Sequence, residues 1–214
     1  MKEKEYYGLL RPEIVAMIPG GCGAVLDVGC GTGALGKYLK ENGVTEVCGI
    51  ELSHEASLEA ERVLDRVVEG DVEHMGLPFS LGRFDCIICA DVLEHLVDPW
   101  AVMARLRALL KPDGCIVASI PNVGFHRVVR SLVRGNWRYA DSGILDRTHL
   151  RFFTWQGIIS LFQDSGLVIE KVHRKIDSGL NMKLLNILLF GRIREALVIQ
   201  YIVRAKKSGK SNGK

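Results

Sequence analysis

The chain predicts a doubly wound α/β fold: a mostly parallel seven-stranded sheet between two layers of helices. Three observations predict it. Seven short apolar runs recur along the 214 residues, and stretches of helical periodicity separate most of them. The first run also breaks into three alternating glycines before it turns helical, the pattern of a strand feeding a ligand-binding turn.

The runs at 25–29, 46–51, 65–69, 84–90 and 115–120 lack the polar alternation of a half-exposed strand. Strands covered on both faces read this way. Runs at 167–173 and 197–204 complete the set, and helical patterns lie near 33–42, 53–63, 98–110 and 154–165. Strand and helix in alternation wind a parallel sheet, whose ligands bind beyond the carboxyl ends of the strands. Asp27, Glu51, Asp71 and Asp91 all fall at such ends, so four acids are expected around one crevice. Two connections, 121–153 and 178–195, are longer than such folds need, and long connections are usually functional.

Length and composition set limits. Residues 1–205 fit one domain able to bury its own core, and 206–214, rich in Ser, Gly and Lys, read as a disordered basic tail. The formal net charge is +3, of which Lys206, Lys207, Lys210 and Lys214 supply four charges, leaving the body near −1. A near-neutral body argues against a nucleic-acid partner. No apolar run is long enough to span a bilayer. The six cysteines sit mostly in apolar runs, and Met1 to Glu5 shows no secretory pattern, so a reducing cytoplasm is expected. Cys86 and Cys89 have CxxC spacing, but residues three apart on a strand face opposite ways and do not share a metal.

The glycine turn is Val25-Leu26-Asp27-Val28-Gly29-Cys30-Gly31-Thr32-Gly33. Gly31 to Gly36 also satisfies G-x-G-x-x-G, with Glu51 about twenty residues on, so a nicotinamide dinucleotide competes as ligand. Asp27 decides between the readings. A pyrophosphate would approach a fixed carboxylate in a partly desolvated crevice, whereas S-adenosylmethionine (SAM) brings a sulfonium and an ammonium instead.

With these residues in place, Val25 to Gly33 resembles motif I of the class I SAM-dependent methyltransferases. Cys48 to Glu51, Glu69 to Val72, Phe84 to Leu96 and Leu110 to Gly114 resemble the later motifs in the family's order, over roughly residues 20 to 175. The resemblance implies strand order 3-2-1-4-5-7-6 with the last strand antiparallel, and S-adenosylhomocysteine (SAH) as product. It implies that Leu110 to Gly114 is the turn before the fifth strand. It also gives roles to the crevice residues. Asp27 acts on the methionine ammonium, with the Gly29 and Gly31 backbone at the amino-acid end. Glu51 accepts from the ribose hydroxyls. Asp71 accepts from the adenine amine, with the Val72 amide beside it. Asp91 and Val92 line the methionine end, and Cys30, Gly33, Leu52 and Ala90 complete the cofactor contacts.

The acceptor side is read from charge and histidines. His95 and His149 lie on the strand-end side and can act as base for a hydroxyl acceptor, with Asp146 expected to orient His149. Asp91, Glu94 and His95 would share a face if that stretch were helical, yet no further ligand follows closely in sequence, so no metal is expected. After Pro121, six arginines stand against Asp141 and Asp146, a local net charge of +4. Arg127, Arg130 and Arg134, at helical spacing, are expected with Trp137 to bind an anionic small-molecule or lipid-linked acceptor, or to rest on anionic lipid. The apolar stretch around Leu184 to Phe190 would help cover the acceptor. Tyr6 to Ile14 is expected as an amphipathic helix on the sheet edge, the alternative being a lid that brings Arg11 to the cofactor carboxylate. The function expected is methyl transfer, with oxygen preferred as nucleophile. An NAD-dependent oxidoreductase and a non-catalytic SAM-binding regulatory module are the alternatives.

Overall fold

The computed structural model describes residues 11–177, 179, 184 and 186–208. Its strands are β1 (Ala24–Val28), β2 (Glu46–Glu51), β3 (Arg66–Glu69), β4 (Phe84–Ala90), β5 (Leu110–Pro121), β6 (Leu167–Ile176) and β7 (Val198–Lys207). They form one sheet in the order β3-β2-β1-β4-β5-β7-β6. The first five pair in parallel, and β7 runs antiparallel to both β5 and β6. The helices are α1 (Pro12–Val15), α2 (Ala34–Glu41), α3 (His54–Ala60), α4 (Pro99–Leu109), α5 (His126–Val133) and α6 (Trp155–Asp164).

Each strand sends alternate side chains to opposite faces, and each face has its own core. Leu26, Ile50, Ile87, Cys89 and Ile116 pack with Val102, Met103 and Leu106 of α4 and Ile158, Leu161 and Phe162 of α6. Val25, Val47, Cys86, Ile88 and Val117 pack on the other side with Ile14, Met17, Leu39 and Leu64. Cys86 and Cys89 are therefore separated by the sheet. Burying a Leu, Ile or Phe side chain contributes about 1.5–3 kcal/mol, so a sheet apolar on both faces requires both helical layers. Helix starts follow local chemistry. Ser53, Asp98 and Thr154 accept from the amides of Ala56, Ala101 and Gly157, at 3.4, 3.0 and 3.3 Å.

Two expectations need correction. Leu110 to Gly114 lies within β5 rather than before it. Leu110 pairs with Phe84 and Cys115 with Cys86, so the Lys-Pro-Asp-Gly stretch is looped out as an irregularity in the ladder. β7 continues through Lys207, so Lys206 and Lys207 belong to the sheet and not to a tail. Lys206 pairs with Glu170 at 2.7 Å, which draws it onto the neighbouring β6. The connection 121–153 contains a helix, α5. The proposed lid up to Leu10 and the tail from Gly209 lie outside the described residues, as do Met182 and Leu185.

Candidate active site

Beyond Val28 the backbone turns through three left-handed glycines, with φ of 69° at Gly29, 55° at Gly31 and 81° at Gly33. At Gly29 a Cβ would stand 2.9 Å from Cγ2 of Val92, so only glycine fits both the conformation and the space. The amides of Gly29 and Cys30 donate to the Ile50 carbonyl, at 2.8 and 3.1 Å. Glu51 completes the turn, one oxygen accepting from the Gly31 amide at 2.8 Å and the other from the Ser53 amide at 2.9 Å. Each carboxylate oxygen accepts two hydrogen bonds, so Glu51 retains capacity for two hydroxyl donors. Asp27 is 3% exposed. Burial, and then the charge of Glu51, push its carboxyl up to about 7.

Asp71 accepts from the Glu73 amide at 2.8 Å and pairs with His74 Nδ1 at 2.7 Å, which holds its carboxyl below the usual range. Arg105 of α4 secures this turn by donating to the carbonyls of Val72 and Glu73, each at 2.9 Å. Asp91 adopts φ 57°, unusual for a non-glycine residue. Its carboxylate accepts from Ser119 Oγ at 2.7 Å and Gln200 Nε2 at 2.6 Å, and pairs with the Arg11 guanidinium. Arg11 also donates to Gln200 Oε1 at 3.3 Å. Sequence reasoning missed Ser119 and Gln200. Ser119 had a signal, a hydroxyl in an otherwise apolar strand, while Gln200 had none, because β7 reaches this site only through the sheet order.

Asp91, Glu94 and His95 do not share an α-helical face. Only Leu93–His95 is helical, as a single 3₁₀ turn, and Asp91 stands before it in the left-handed region. His149 takes the third place instead. Glu94, His95 and His149 bring one ligand atom each to within 4.8 Å of one another. The imidazoles meet edge to face, ring centres 4.8 Å apart. His95 Nδ1 is 3.2 Å from the Thr148 carbonyl, and His149 Nδ1 is 3.0 Å from that of Ile144. Asp146 does not orient His149. Its carboxylate accepts from the amide and hydroxyl of Thr148, at 2.8 and 2.7 Å, and the Ile144 carbonyl does the orienting. Burial, reinforced by His149, lowers the His95 pKa, while burial beside Asp91 raises that of Glu94 well above a usual carboxylate.

α5 begins five residues beyond β5, on the crevice side of the sheet. Arg127, Arg130 and Arg134 line a cavity of about 560 Å³ together with Ser131, Asn136 and Arg138. Trp137 is not among the lining residues. It packs on Phe152 at 5.2 Å, and Phe152 in turn lies 6.4 Å from His149. Among the described residues, Arg127 pairs with Asp177 at 3.8 Å, and Arg130, Arg134 and Arg138 have no carboxylate partner.

A family model described as a methyltransferase domain matches residues 8–172. The chain belongs to that family. It is similar to the ubiquinone biosynthesis O-methyltransferase of Bordetella avium, with 34% identity over 131 residues, 54% of each chain. Against the protein of that name from Psychrobacter arcticus the identity is 35% over 161 residues, 64% of this chain and 61% of the relative. The chain thus spans about half to three fifths of the length of these curated relatives. A SAM-dependent methyltransferase from Archaeoglobus fulgidus shares the fold at TM-score 0.66 and 22% identity, with 96% of this chain and 94% of that one covered. One from Mesorhizobium loti does so at TM-score 0.64 and 18% identity, with coverage of 92% and 96%.

The cofactor of this methyltransferase domain is SAM, and the residues present fit it. The buried acid Asp27 at the end of β1 suits a cationic ligand and opposes a pyrophosphate, which sets the dinucleotide reading aside. Leu52, directly after Glu51, is 70% exposed, a large apolar side chain left open at the end of β2.

Proposed function

We propose that this protein transfers the methyl group of SAM to a hydroxyl oxygen of a small amphiphilic acceptor that carries an anionic group. The observation that carries this reading is the His95–His149 pair. Each imidazole directs Nδ1 to a main-chain carbonyl, which leaves Nε2 as a lone pair able to accept a proton, and the lowered pKa of His95 keeps it neutral near pH 7.

In this reading Asp27 faces the methionine ammonium, Glu51 accepts from the ribose hydroxyls, and Asp71 with the Val72 amide meets the adenine edge. The turn at Gly29, Cys30, Gly31 and Gly33 and the residues Leu52, Ala90, Asp91 and Val92 complete the cofactor wall. The acceptor oxygen attacks the methyl carbon in line. An O–C bond forms, the C–S bond breaks with its electrons passing to sulfur, SAH departs, and the hydroxyl proton goes to an imidazole. Alignment and exclusion of water supply most of the acceleration, and the base adds on the order of 10²–10⁴-fold.

The arginines of α5 hold the anionic part of the acceptor. Leu132 and Val133 of α5, and Ile187, Leu188 and Phe190 further along the chain, expose large apolar side chains, Phe190 to 92%, which favours a lipid-linked acceptor and peripheral contact with a membrane surface. Among the described residues no helix is long and apolar enough to cross a membrane. Six free, buried cysteines suit a reducing cytoplasm. The names of the curated relatives support oxygen as the nucleophile.

The test supplies SAM and a panel of phenolic acceptors with and without an anionic substituent, and follows SAH by mass spectrometry. Turnover that prefers the anionic phenols, and falls in His149→Ala, supports the reading. Tight SAM binding without SAH from any acceptor would instead favour a regulatory module.

A further inference from the structure

Glu94 is 1% exposed, and among the described residues neither of its carboxylate oxygens has a hydrogen-bond partner. Buried carboxylates are ordinarily satisfied, so both oxygens are placed for a ligand that the described part of the chain does not provide. The side chains that face them are His95 and His149, with one ligand atom from each of the three residues inside 4.8 Å.

We propose that Glu94, His95 and His149 bind one divalent transition-metal ion, with coordination positions left open toward the acceptor. This rests on the reading of the His95–His149 pair as the place where the acceptor oxygen is activated, and it changes the agent: the imidazoles would serve as ligands, the cation would lower the pKa of the acceptor hydroxyl, and its proton would pass to solvent instead of to an imidazole.

The surroundings are those of a built site. Each imidazole has Nδ1 against a carbonyl, Thr148 for His95 and Ile144 for His149, the arrangement that turns Nε2 toward a metal and fixes the ring. The two halves of the ligand set come from segments more than fifty residues apart and are clamped together. The amides of Leu150 and Arg151 donate to the Glu94 carbonyl, at 2.8 and 3.0 Å. Metal bonds of about 2.1 Å place tetrahedral ligand atoms about 3.4 Å apart, so the trio, already within 4.8 Å, would draw closer together on taking up an ion. Two imidazoles and a carboxylate suit zinc, cobalt, manganese or ferrous iron, and three protein ligands leave room for a substrate oxygen.

The test strips the full chain with a chelator and titrates it with Zn²⁺ or Co²⁺, reading stoichiometry by elemental analysis and the Co²⁺ absorption bands. One ion per chain, with affinity at least tenfold weaker in His149→Ala and in Glu94→Gln while both stay folded by circular dichroism, supports the site. Absence of binding in the unaltered protein, or binding that neither variant weakens, overturns it. Full methyl transfer in the presence of chelator likewise overturns the metal and leaves the histidine base standing. Stoichiometric binding without methyl transfer to any acceptor supports the metal site and sinks the proposed function.

Discussion

The main-chain carbonyl of Glu94 accepts the amide of Leu150 at 2.8 Å, and this contact joins the loop after β4 to the segment that carries His149. Glu94 thus takes part through its backbone as well as its side chain. The side of the crevice with Glu94, His95 and His149 exists only when these two segments are docked, while the acidic side is built from the ends of β1 to β4.

Glu51 is the first point to test on the cofactor side. Glu51→Ala leaves the Gly31 and Ser53 amides without their acceptor, which costs about 1–3 kcal/mol in a buried setting. The variant should melt at a lower temperature and bind SAM at least tenfold more weakly by calorimetry. Unchanged SAM affinity would remove Glu51 from the cofactor site.

Asp27 predicts a pH dependence. Its folded-state pKa of about 7 lies above the ordinary aspartate value of 3.8, so the unliganded fold favours the protonated form. That contribution to stability is fully present below about pH 4 and is lost as pH rises toward 7. A cationic ligand favours the carboxylate, so SAM binding should release protons at pH 6 and tighten between pH 5.5 and 7.5. Calorimetry in buffers of different ionisation enthalpy measures the release, and Asp27→Asn should abolish it.

Asp91 occupies the left-handed region, where glycine is at ease and alanine is strained by roughly 1 kcal/mol. Asp91→Ala and Asp91→Gly both lose the contacts to Arg11, Ser119 and Gln200. Asp91→Gly should therefore be the more stable of the two in urea denaturation. Equal stability would mean that the turn relaxes out of its left-handed conformation.

The arginines of α5 predict a separation of binding constants. Arg130→Gln combined with Arg134→Gln should raise the KM for an anionic acceptor several-fold and leave the SAM Kd unchanged, with the difference shrinking as salt is added. Steady-state kinetics at two ionic strengths decide it, and an unaltered acceptor KM rules the patch out.

What could be read in advance follows the range of the interactions involved. Asp27, Gly29, Gly31, Glu51, Asp71 and Asp91 were legible because each follows directly from an apolar strand whose end defines the crevice. The partners of Asp91 were not, because Arg11, Ser119 and Gln200 lie on three segments that meet only across β5 and β7. The expected link from Asp146 to His149 failed for a local reason: the Asp146 carboxylate closes its own turn on Thr148 two residues on.

By itself the sequence determined the strand and helix pattern and the acidic, glycine-turned end of the crevice, because hydrophobic periodicity and left-handed backbone are properties of short segments. Only the tertiary structure decided that the Glu94 carboxylate is buried without a partner among the described residues, that His149 rather than Asp91 joins it and His95, and that the arginines on and just after α5 line one cavity. Burial and convergence depend on which distant segments pack together, and no local pattern encodes that.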